Sequence, residues 1–221
     1  STLFPYTTLF RSVLPIVFIP LGILSVIFAK STGGLVGIIG GFGLLLLLYK
    51  KTRWWTIGLT TIAVIGLFTF PQLSEIKKEI LLQDRSGQIR ISMWGEATEF
   101  LSDNPILGAG LASYQEKIEP YHTTVNNEGI EIFHHPHNIF LTMWTNLGIL
   151  GLFGFVWILV WYFRVGLINS NPKTKILLAT MTVILITGLV DSPYIKNDLS
   201  ILFWLLPTLL LINIYADKLE N

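Results

Sequence analysis

Long apolar runs separated by short polar breaks flank one extended polar interval. Three runs precede it (Val13–Ala29, Gly33–Tyr49, Trp54–Phe70) and three follow it (Ile139–Phe163, Ile176–Val190, Leu199–Tyr215). A membrane-crossing helix takes about 20 mostly apolar residues. The pattern therefore predicts an all-α fold: a polytopic membrane helical bundle of about six spans, with one large, partly helical extracytoplasmic loop. The first run is interrupted by Pro15 and Pro20, and the third stops at Pro71. The glycines of the second run (Gly33, Gly34, Gly37, Gly40, Gly41, Gly43) suit the close approach of a neighbouring helix.

Within the polar interval, Leu73–Leu82 alternates apolar and charged residues at helical spacing, as an amphipathic helix lying on a membrane surface would. Ser86 suits the N-cap of a second helix running from about Gly87 to Leu101, ended by Asp103-Asn104-Pro105. Its Arg90, Trp94, Thr98 and Leu101 recur every three or four residues and share a face. Gly108-Ala109-Gly110 then makes a tight turn. Residues 111–131 are polar and acidic and read as a mobile surface segment. The expected organisation is spans 1–3 over 13–70, a loop over 71–138, spans 4–6 over 139–215 and a cytoplasmic tail over 216–221.

Composition agrees with the pattern. Only 13% of the residues are charged and 52% are hydrophobic, against about 25% charged in soluble domains. Lysine and arginine in short loops set orientation. The turn at 50–53 carries Lys50, Lys51 and Arg53, and that at 164–175 carries Arg164, Lys173 and Lys175. Neither holds an acid, so both are expected on the cytoplasmic face and the long loop outside. There is no basic stripe interleaved with aromatics, so nucleic acid is not an expected partner. The absence of cysteine rules out disulfides, thiol nucleophiles and thiolate-bound metals. Residues 1–12 read as translated sequencing adapter joined to the natural frame near Val13, which makes the chain the C-terminal part of a longer protein.

All four histidines (His122, His134, His135, His137) lie in the polar interval. The run GQIRISMWGEATEFLSDNPILGAGLASY, the histidine-rich turn, and HNIFLTMWTNLGILGLFGF together resemble the C-terminal half of the O-antigen ligase and polymerase superfamily. The resemblance covers most of Gly33–Tyr215. It rests on Arg90 four residues before Trp94, Asn104-Pro105 followed by Gly108-Ala109-Gly110, and His137-Asn138 leading into a glycine-bearing helix. It implies a multi-pass glycosyltransferase of the bacterial inner membrane, with its active loop on the periplasmic side. Such an enzyme moves a glycan from undecaprenyl diphosphate to an acceptor hydroxyl on a glycan, a lipid A-core or another molecule, among membrane lipids and with neither cofactor nor metal. A repeat-unit polymerase of the same superfamily, and a polysaccharide transporter or flippase fragment, stand as alternatives. The family often carries an arginine after the serine of an earlier Ser-x-Gly motif, where this chain has Thr32, so one phosphate contact is missing.

The residue types fit that chemistry. A guanidinium pairs with a diphosphate and stays charged, and stabilising developing charge is usually the largest catalytic effect. By resemblance Arg90 takes this role, with Arg85 second; otherwise Arg90 is a solvated residue or a partner of Glu99. An imidazole can accept the acceptor's proton, contributing ~10²–10⁴-fold. His137 is the candidate base, unless it only caps the following helix with Asn138. His135, Trp94, Asn138 and Asp191 complete the candidate substrate contacts with Arg85, and His134 reads as surface. Metal binding by His134, His135 and His137, with Glu128 or Glu131 as nearby acids, is the competing reading of the cluster.

Overall fold

The computed structural model describes residues 6–125, 128–193 and 197–220. Residues 1–5, 126–127 (within the segment expected to be mobile), 194–196 of the turn after the fifth apolar run, and 221 lie outside the described residues. The helices in chain order are α1 (Tyr6–Phe28), α2 (Thr32–Leu47), α3 (Arg53–Thr69), α4 (Ser74–Ile80), α5 (Arg85–Asp103), α6 (Tyr114–Ile118), α7 (Ile139–Ile168), α8 (Pro172–Thr187) and α9 (Asn197–Glu220). Between α6 and α7 the strands β1 (Thr124–Val125) and β2 (Glu128–Gly129) pair antiparallel.

Each predicted apolar run is helical, but the expected six-span bundle is not what the lengths support. Among the described residues only α7 is long and apolar enough to cross a membrane. A second qualifies only if Arg53–Thr69 and Pro71–Asp103, bent by 91° at their junction, count together. The polytopic fold and the multi-pass inner-membrane placement are corrected accordingly. Apolar character was readable from the runs, but usable helix length was not. Capping by Ser31 and Asn171 leaves α2 and α8 with 16 residues each, about 24 Å at 1.5 Å per residue, against an apolar layer of about 30 Å.

Helix α8 is the close neighbour that the glycines of α2 allow. A Cβ on Gly37 or Gly41 would strike Thr187 or Val183. The two lysine-bearing turns meet at one end of this pair, where the Lys175 ammonium lies 4.1 Å above the Tyr49 ring. The main core is built between α7, α8 and α9 by Phe155, Tyr162, Leu178, Met181, Phe203 and Leu210, all buried.

The polar interval folds onto this core through a second cluster, made of Ala97, Phe100 and Leu101 from α5 with Tyr114 and Ile118 from α6. The start of the 111–131 segment is thus not the surface that its polarity suggested: Tyr114 and Ile118 are buried and anchor it. The predicted shared face of α5 also divides. Leu101 is buried, Arg90 and Trp94 are half-buried and Thr98 is exposed. Asp84, rather than Ser86, caps α5, accepting from the Ser86 and Gly87 amides.

The Gly108-Ala109-Gly110 turn docks on a break in α7. Gly148 interrupts that helix at φ 69°, a left-handed conformation that glycine adopts without a Cβ penalty. Its neighbour Ile149 donates its amide to the Ile106 carbonyl at 3.1 Å, and Ala109 donates to the Thr145 carbonyl at 2.7 Å. A Cβ on Gly108 (φ 63°) would strike the Trp144 and Thr145 carbonyls, and one on Gly148 the Ile106 carbonyl.

Candidate active site

The site forms where the C-terminal end of α8 meets the start of α7 and the first half of α5. Asn138 caps α7, its side-chain oxygen accepting from the Phe140 and Leu141 amides. Its amide group donates to the Leu189 carbonyl at 3.1 Å, and the Ile139 amide donates to the Gly188 carbonyl at 2.7 Å. The head of α7 is therefore tied to residues 188–189. Three residues further on, the Thr142 and Ser192 hydroxyls meet at 2.9 Å in a buried pair.

This framework carries two consecutive residues on which the candidate chemistry converges. Arg90 donates from Nε to the Val190 carbonyl at 2.7 Å and from Nη1 to the Ser86 hydroxyl. His137 Nδ1 lies 3.1 Å from Asp191 Oδ1, and the Ser192 amide donates to the same oxygen at 2.7 Å. His137 has the left-handed φ of 48°, an unusual conformation for a residue with a Cβ. The Phe133 ring meets its imidazole edge-on at 5.2 Å. Trp94 completes the frame, its indole donating to the Pro136 carbonyl at 2.9 Å.

His135 stacks on His137, with ring centroids 4.6 Å apart and planes 30° apart. Its Nε2 is buried without a hydrogen-bond partner, 3.9 Å from Asp191 Oδ1. The His135 imidazole and then that of His137 hold the Asp191 carboxyl well below the usual carboxylate range. At 3.9 Å the His135 contribution is an electrostatic attraction and not a made hydrogen bond, so His137 is the firmer partner.

Ligand atoms of His135, His137 and Asp191 lie within 4.8 Å of one another, a spacing a metal ion could use. The stacking works against it. A metal must lie in the plane of each imidazole that binds it, and two rings stacked 4.6 Å apart at 30° do not share such a point nearby. A ring would have to turn first. His134 is not part of this cluster.

Val190 and Asp191 form part of the wall of a cleft of about 360 Å³ between α2, α4, α5 and the end of α8. Arg90, Lys30, Thr32, Glu79 and Asp84 bring polar groups to it, and Val36, Ile80, Leu82 and Ile186 supply apolar wall. Thr32, where the resemblance expects an arginine, lines the cleft and donates its hydroxyl to Glu79.

The structure thus brings together Arg90, Trp94, His135, His137, Asn138 and Asp191. Arg85 stands apart, exposed and paired with Glu128 at 2.6 Å. Sequence reasoning passed over Glu96. Buried on α5, it accepts from the Thr123 amide (3.0 Å) and hydroxyl (2.8 Å) on one oxygen and faces His122 Nδ1 at 3.2 Å with the other. Its one legible signal was an acid one turn before the apolar Phe100, on the core face of the helix. Glu99, considered as a partner for Arg90, does not pair with it.

A family model described as O-antigen ligase matches residues 17–156, more than half of the chain. No curated protein matches it. The matched region takes in Arg90, Trp94 and the histidine turn, and on that match the chain belongs to the O-antigen ligase family, whose general role is glycan transfer.

Proposed function

We propose that the chain transfers a glycan from an undecaprenyl diphosphate carrier to an acceptor hydroxyl, with His137 as general base and Arg90 as the cation facing the leaving diphosphate. The acceptor oxygen attacks the anomeric carbon of the donor sugar. Its proton passes to His137 Nε2, the bond from that carbon to the diphosphate oxygen breaks, and the electron pair leaves with the diphosphate. The acceptor hydroxyl belongs to a glycan, a lipid A-core or another carrier.

One observation carries this reading: Arg90 and His137 act on neighbouring residues, Val190 and Asp191, of the same cleft wall. Asp191 fixes the imidazole through Nδ1, which leaves Nε2 with no partner among the described residues and ready to accept a proton. Aspartate stabilises the imidazolium that results, the arrangement by which an acid orients a histidine base. Arg90 is held by Val190 and Ser86, so its charge needs little reorganisation when the leaving group develops its own.

The test is transfer from a polyprenyl-diphosphate glycan, followed for the wild type, Arg90→Ala and His137→Ala with folding checked by thermal melt. Turnover falls by ~10²-fold or more in each variant. Near-wild-type turnover in either one removes that residue from the reaction, and in both it ends the proposal.

A further inference from the structure

We propose that Lys30 is the second cation for the donor's diphosphate, an assignment that rests on the transfer reading above. The cleft wall holds two basic side chains, Lys30 and Arg90. Arg90 has two of its nitrogens committed, to Val190 and Ser86. A glycosyl diphosphate is charged at both phosphates and gains charge as its bond breaks, so one partly committed guanidinium leaves much of that charge unmatched. Lys30 lines the cleft from the turn between α1 and α2, whereas Arg90 comes from α5. Its ammonium has no hydrogen-bond or ion-pair partner among the described residues.

The three acids of the wall are in a different condition. Glu79 accepts from Thr32, Asp84 caps α5 through the Ser86 and Gly87 amides, and Asp191 accepts from Ser192 and faces His137. Each carboxylate thus already has a protein donor, whereas the exposed Lys30 has no protein acceptor among the described residues. Its backbone closes the turn that ends α1, with the Lys30 amide donating to the Ile27 carbonyl at 3.0 Å and the Ser31 amide to Val26 at 3.3 Å. Lys30 has φ 49°, a left-handed conformation in which asparagine or glycine costs less.

That strain supplies a clean variant. Lys30→Asn removes the charge and suits the backbone, so its thermal stability is expected to equal or exceed that of the wild type. Binding is measured for farnesyl diphosphate, farnesyl monophosphate and inorganic pyrophosphate, in the wild type, Lys30→Asn, Lys30→Arg and Arg90→Gln. Lys30→Asn is expected to weaken the diphosphate by about tenfold, the loss of one charge-assisted hydrogen bond. The monophosphate changes by less, and Lys30→Arg retains most of the affinity. Unchanged diphosphate binding in Lys30→Asn, with a loss in Arg90→Gln, overturns the assignment and leaves the transfer reading standing. No loss in either variant removes the diphosphate from this cleft and the transfer reading with it. Pyrophosphate binding as tightly as farnesyl diphosphate overturns a lipid-linked source.

Discussion

Two histidine–carboxylate pairs of nearly equal length occupy different parts of this protein. His137 and Asp191 are 3.1 Å apart beside the cleft, while His122 and Glu96 are 3.2 Å apart beneath the loop that follows α6. Their surroundings separate them. The Glu96 side chain is 5% exposed and that of Asp191 is 37% exposed. His122 has both ring nitrogens engaged, with Nε2 2.9 Å from the Ile130 carbonyl. An imidazole that donates from both nitrogens is protonated and has no lone pair left for chemistry. His137 keeps one nitrogen unengaged. The distance between a histidine and its acid therefore says little about its role, and the state of the second nitrogen says much more.

The comparison breaks most sharply at the histidines. His137→Gln is expected to lower turnover by ~10²-fold or more with little change in the melting temperature, whereas His122→Gln lowers the melting temperature and spares turnover per folded molecule. Transfer assays paired with thermal melts separate the two outcomes. Asp191→Asn comes next: as a positioning residue its loss reduces kcat by about tenfold or more while KM moves little, because the imidazole loses its orienting acceptor. Glu96→Gln is expected to destabilise by about 1–3 kcal/mol, since a buried network loses its charge and one acceptor is replaced by a donor. Urea unfolding measures this.

A smaller effect comes from pH. Burial lowers the His122 pKa, but the Ile130 carbonyl and the Glu96 carboxylate outweigh it and leave the value raised. With the folded value above the unfolded one, the stabilisation is fully present below about pH 6.5 and is lost as pH climbs through the folded value. The melting-temperature gap between wild type and His122→Gln should therefore narrow on going from below pH 6.5 into the alkaline range. The smallest change expected is at Arg85. Its exposed pair with Glu128 contributes at most about 1 kcal/mol, and Arg85→Ala should leave transfer intact, unlike Arg90→Ala.

The sequence made the helices legible because apolar runs bounded by polar breaks set their positions within a few residues. It could not supply span number, since that depends on where Ser31, Asn171 and Gly148 end or break helical geometry. For the site, Arg90, Trp94 and His137 were candidates through the motifs that carry the family resemblance, and the structure sets them around one backbone frame. The partnership of His137 with Asp191 was not readable. It joins residues 54 positions apart in the chain, through a backbone frame at 188–192 that leaves no local pattern. Glu96 was hard to single out for a different reason: it is one of three acids on α5, and although its place one turn before Phe100 hints at the core face, its burial comes with Tyr114 and Ile118 packing on that face. Lys30 looked like ordinary punctuation between two runs until its place in the cleft was known.

The clasp at Gly148 joins two parts of the site through the backbone. Residues 106–109 grip α7 on either side of its break and also follow directly from α5, so the helix bearing Arg90 and the helix headed by His137 share one rigid elbow. The spacing between the guanidinium and the imidazole thus depends on a backbone joint that only a glycine at 148 can accommodate.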